Sequence, residues 1–166
     1  MKRALLWIAL LLLNILLETT IIARFIPVAF RPDTVIAIVT VIALIYPAPI
    51  AGLYAAAAGL VMDILLSPAV GANALAYFLT AQLVGIFSGK YYAKNWVFAA
   101  AAAFAARIAK EILLVLIITP LGMKPAFISA ALPMLISAAL TALICIPIYI
   151  LKRRSTNAYM RRARYE

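Results

Sequence analysis

A chain of 166 residues that is 68% hydrophobic and 12% charged has more apolar surface than a water-facing fold of its size can hide, which excludes a soluble globular domain. Its formal charge of +10 gathers at one set of helix ends and not on a folded basic face, which speaks against nucleic-acid binding. With no histidine and one cysteine, Cys145 in an apolar run, His-based zinc sites, Ser-His or Cys-His catalysis and internal disulfides are out of reach.

The first apolar run, residues 4–23, follows Lys2 and Arg3. Asn14 and Glu18 interrupt its far end and Ile21-Ile22-Ala23 is a poor cleavage site, so it reads as a retained span, not a removable signal. Asn14 and Glu18 lie four apart and share a helix face near the outer end. A short outer loop, 24–32, carries Arg24 and Arg31; Pro32 suits a first helical turn, and Asp33 favours the positive helix N-terminus. The second span, 33–46, is rich in Ile and Val and short for a bilayer core about 30 Å thick. Tyr46-Pro47-Ala48-Pro49 makes the inner turn.

The third span holds Gly52, Ala56, Gly59 and Asp63 at spacings that stack them on one helical face. Gly and Ala let a neighbouring backbone come close. An acid inside a span costs roughly 2.5–3.5 kcal/mol, so Asp63 requires a partner or a wet cavity. Ser67-Pro68 stops this helix, and Gly71 and Asn73 start the fourth span, 72–89, which ends in the small-residue pair Gly85 and Gly89. Lys90, Lys94 and Asn95-Trp96 follow at the interface. The fifth span, 96–119, combines an Ala-rich tract with Arg107, Lys110 and Glu111. Pro120, Gly122 and Pro125 make an outer turn before the sixth span, 126–151, where Pro133 and Pro147 are expected to cause bends.

The fold class that follows is an all-α integral membrane protein: a compact bundle of six transmembrane helices over 1–151 and a basic cytoplasmic tail over 152–166. The inner ends hold Lys2, Arg3, Lys90, Lys94 and the six basic residues of the tail, whereas the outer loops hold only Arg24, Arg31 and Lys124. That asymmetry places both termini in the cytoplasm. The tail either rests on anionic headgroups or docks a cytoplasmic partner.

In this topology Glu18, Asp63, Arg107, Lys110 and Glu111 all fall in the outer half. They are expected to form a buried polar network in which Arg107 or Lys110 neutralises Asp63 or Glu18. The alternative is an outward-facing polar cavity for a small ligand or for part of another membrane protein. Asp63 with Glu111 could form the paired acids that intramembrane hydrolysis needs, but beside Arg107 and Lys110 they make a poor general acid. No enzyme activity, cofactor or metal is expected.

Arg31-Pro32-Asp33 opening an apolar span, then Gly52…Gly59-x-x-x-Asp63, then Gly71-x-Asn73-Ala74-Leu75-x-Tyr77 and Gly85, resembles the MreD family, the rod shape-determining membrane proteins of bacteria. The motif-bearing part covers residues 31–89; the chain length, basic N-terminal pair, six apolar runs and basic tail are similar too. The resemblance implies a non-enzymatic scaffold of the cell-elongation machinery in the bacterial inner membrane. Its implied partners are MreC and membrane lipids and, through MreC, RodA, an elongation-specific penicillin-binding protein and MreB. On this reading Gly52, Ala56 and Gly59 seat the MreC helix, with Arg31 and Asn73 at the outer boundary, and the loops 25–31 and 121–126 touch its periplasmic segment. The family is also similar in fold to the S components of energy-coupling-factor transporters. That likeness implies an alternative, a substrate-binding component of a small-molecule transporter, with Tyr54, Tyr77 and Phe78 as pocket candidates.

Overall fold

In a computed structural model, residues 12–27, 30–66, 70–87, 95–122 and 131–162 are described. Among them the chain forms six helices and no strand: α1 over 12–25, α2 Thr34–Ile45, α3 Ala48–Leu66, α4 Ala72–Gly85, α5 Trp96–Ile118 and α6 Ala131–Arg162. The expectations for Lys2, Arg3, the start of the first span, Ser67-Pro68, Gly89, Lys90, Lys94, Lys124, Pro125 and the first residues of the sixth span lie outside the described residues.

Local chemistry sets the helix starts. Asp33 caps α2, its carboxylate accepting from Ile36 N–H at 2.8 Å, which satisfies one of the donors a helix N-terminus leaves open. Asn95 caps α5 in the same way through Val97 N–H at 3.0 Å. Gly71 precedes α4 with φ +98°, a left-handed conformation that Gly adopts without a Cβ penalty. Within α1, Leu17–Ile22 is wound as a π-helix, a local widening that often marks functional positions, and Glu18 sits in it.

Helix α2 is the axis. Every residue from Thr34 to Leu44 except Ile38 is buried, and α3, α4, α5 and α6 all pack on it. Its 12 residues rise about 18 Å, too little to cross a bilayer core unaided, which suits a helix enclosed by protein. The surrounding helices are small inside and large outside. Ala51, Ala55 and Ala58 of α3, Ala76 and Ala81 of α4, and Ala99, Ala103 and Ala106 of α5 are buried. Leu53 and Ile64, Leu83 and Ile86, Ile112 and Leu116, and Leu132, Leu143 and Leu151 are exposed. That order inverts the water-soluble pattern and matches helices whose backbones meet closely while aliphatic side chains face outward. Two helices, α3 over Ala48–Leu65 and α6 over Leu132–Arg153, are long and apolar enough to cross a membrane.

Helix α6 runs past Leu151 to Arg162, since the basic segment contains neither Gly nor Pro to stop it. Of the two prolines expected to cause bends, Pro147 lies inside the helix.

Candidate functional site

The polar side chains collect at the N-terminal end of α2. Two carboxylates serve its first turn. Asp33 accepts from Ile36 N–H, and Glu18, reaching from α1, accepts from the Thr34 hydroxyl at 2.6 Å and from Val35 N–H at 3.3 Å. The helix terminus thus supplies positive potential to both acids.

Asp33 is the hub. Its Oδ2 accepts from the Tyr77 hydroxyl of α4 at 2.8 Å and lies 3.6 Å from Lys110 Nζ of α5. The Lys110 ammonium stands 4.9 Å from the centroid of the Tyr77 ring and 3.8 Å from Glu111 Oε1. Glu111 in turn pairs with Arg107 one turn back on α5. Arg107 Nε donates to Ser137 Oγ of α6 at 3.2 Å, and the Ser137 hydroxyl donates to the Arg31 carbonyl at 2.6 Å. The Asp33 N–H donates to Thr141 Oγ1 at 2.9 Å, while the Thr141 hydroxyl donates to Ser137 O. One connected set therefore joins α1, α2, α4, α5 and α6. Asp33 and Lys110 are almost wholly buried, so their mutual attraction is little screened.

Asp63 stands apart from this set. It is fully buried, and its Oδ2 accepts from Gly71 N–H at 2.9 Å and Ala74 N–H at 3.0 Å. Its Oδ1 accepts from Asn73 N–H at 3.2 Å and Asn73 Nδ2 at 2.8 Å. The expected neutralisation of Asp63 by Arg107 or Lys110 is thus replaced by the N-terminus of α4, whose open N–H groups supply partners and positive potential together. Asp63 and Glu111, the acids weighed as a catalytic pair, serve different helices.

Glu18, Arg107, Lys110 and Glu111 do come together as expected, and Arg31 joins them through its backbone carbonyl. Asn73 belongs to the Asp63 clamp. The seam of α3 proves to be filled from within the chain. A Cβ on Gly59 would lie 2.5 Å from Ala74 Cα, and one on Gly52 would meet the Gln82 amide and the Phe78 ring. Ala56 between them is half-buried. Gly85 of α4 also approaches Ala48, 2.8 Å from its would-be Cβ to the Ala48 Cβ. The strip expected to seat a partner's helix is therefore the α3–α4 contact, because α4, tied back by Asp63, reaches it first.

Sequence reasoning missed Ser137 and Thr141, and it did not place Asp33 or Tyr77 in the network. Ser137 and Thr141 are polar residues four apart in an otherwise apolar helix, the signal that α6 turns a face toward polar company. Tyr77 and Phe78 diverge: the first enters the polar cluster, the second lies over Gly52. A separate groove of about 300 Å³ opens between α4 and α5, lined by Leu83, Phe87, Phe98, Ala102, Ala105 and neighbours, with Thr80 as its polar contributor. Among the described residues no three His, Cys, Asp or Glu side chains converge as a metal-binding group.

Compared with known proteins, residues 1–155 match the family model described as rod shape-determining protein MreD. No curated protein matches the chain, and no solved structure does.

Proposed function

From the premise that this chain belongs to the rod shape-determining MreD family, and so has a role in rod shape determination, we propose that it is a non-enzymatic scaffold of the elongation machinery in the bacterial inner membrane. In this reading its six helices cross the bilayer with both termini in the cytoplasm. It binds MreC and, linked through MreC to RodA, an elongation-specific penicillin-binding protein and MreB, helps to regulate peptidoglycan synthesis and cell shape.

The observation that carries the proposal is the division between interior and exterior. The buried acids and bases bond to one another, to neighbouring hydroxyls and to helix termini, and the outward faces are aliphatic. A bundle built so acts through its surface. Partner binding then falls to the outward helix faces and outer loops, since the Gly52/Gly59 strip is occupied by α4. The same division favours a scaffold over a substrate-binding component, because Tyr77 and Lys110, the groups best suited to hold a polar ligand, are engaged by Asp33. The test is co-purification of the full chain with full-length MreC from detergent-extracted membranes. Stable retention is expected, and an inserted, folded chain that never retains MreC would remove the proposal.

A further inference from the structure

Helix α6 has 32 residues, a length of about 48 Å. Its candidate membrane-crossing part, Leu132–Arg153 with Lys152 and Arg153 at its inner edge, accounts for about 33 Å of this and matches a hydrocarbon core of about 30 Å. The remainder, through Arg162, continues the same helix for about 13 Å more. The base of that extension is anchored to the bundle, with Lys152 Nζ 5.7 Å from the Tyr46 ring centroid at the α2–α3 turn.

Residues 152–162 include Lys152, Arg153, Arg154, Arg161 and Arg162 and no acid. Five like charges repel one another, and Ser155-Thr156-Asn157 between the two basic groups are poor helix formers. An oppositely charged surface would offset that repulsion and stabilise the helix. We propose that residues 152–162 form a rigid basic post that docks an acidic face of a cytoplasmic protein. The proposal rests on the cytoplasmic placement of the C-terminus given above.

Anionic headgroups would also attract this charge, but two features favour a protein. The helix is unbroken, and the headgroup layer is only about 5–7 Å deep on each side. Arg161 and Arg162 therefore stand about 6 Å beyond it, and a tilt of about 20° changes that little. A helix lying in the interface also needs an apolar stripe. In the sequence Ala158, Tyr159 and Met160 are consecutive and not spaced three or four apart as such a stripe requires.

The test uses the full chain with Cys145→Ala and a spin label on Tyr159→Cys, reconstituted in vesicles with zero and with high anionic-lipid content. The label is expected outside the headgroup layer in both. In cells, a photo-crosslinker at position 159 is expected to form an adduct with a cytoplasmic protein. Arg161→Gln with Arg162→Gln should lower its yield about tenfold, the lower range for removing electrostatic steering, without altering insertion. A label that sinks into the headgroups as anionic lipid increases overturns the proposal in favour of lipid. An absent adduct, or one indifferent to the charge removal, overturns it as well. If a membrane-impermeant maleimide reaches the position 159 cysteine from outside intact cells, the orientation itself is wrong, which separates that failure from failure of docking.

Discussion

Asp63 shows how a carboxylate can be accommodated inside an apolar bundle by backbone donors. Three backbone N–H groups and the Asn73 amide converge on its two oxygens, so among the described residues its partners are those of a helix terminus and not Arg or Lys. Asp63→Asn turns one of those oxygens into a donor facing donors, and hydrogen bonds to a charged group are worth about 1.5–3 kcal/mol. We expect the variant to lose at least that much in reversible unfolding from detergent micelles, since each oxygen accepts two bonds. Asn73→Ala removes one bond to the carboxylate and leaves three backbone bonds in place, so it should lose less, about 1.5 kcal/mol; equal losses for the two would contradict the clamp. In the second cluster, Lys110→Met leaves Asp33 and Glu111 without their shared cation, and breaking a buried pair costs about 3–5 kcal/mol. Tyr77→Phe, which removes a single bond to a carboxylate, should cost less in the same experiment. The need of Asp63 for a partner was legible in the sequence. Its partner was not, because an acid placed by spacing alone does not reveal whether a cation or a helix terminus lies opposite.

The α3–α4 hairpin is the element where sequence and structure part most instructively. Gly52, Ala56, Gly59 and Asp63 announce a close approach on one face, and that approach exists. The pattern says nothing of whose backbone makes it, and here it is the next helix of the same chain. The consequences differ along the strip. A Cβ on Gly59 meets backbone, at 2.5 Å from Ala74 Cα, whereas one on Gly52 meets the ends of the Gln82 and Phe78 side chains, which can move. Gly59→Ala is expected to destabilise the folded bundle by at least the 1–3 kcal/mol typical of overpacking, and Gly52→Ala by clearly less. Thermal unfolding of the two variants in detergent checks the order; if Gly52→Ala were the worse of the two, the close packing described for α3 and α4 would be wrong. The short second helix was legible as such, and its enclosure on every side gives the reason for its length. The continuation of α6 to Arg162 was not, since charge marks the end of an apolar span but does not stop a helix.

At the scale of the whole molecule, a polar core stitched across five helices is surrounded by small-residue contacts and then by outward-facing Leu and Ile. The grouping of Glu18, Arg107, Lys110 and Glu111 could be read from their depths along successive spans. The serine and threonine of α6 that complete it were missed, because a hydroxyl is inexpensive in any helix and only their spacing of four marks them. The division assigns the interior to holding the bundle together and leaves recognition to the exterior. The direct measurement is therefore a paired one on Asp63→Asn, Tyr77→Phe and Lys110→Met: folded fraction in detergent, and MreC retained on co-purification from the same membranes. MreC retention is predicted to follow the folded fraction in all three. A variant as stable as the native chain that nonetheless releases MreC would show that an interior polar group takes part in recognition, and would contradict the account.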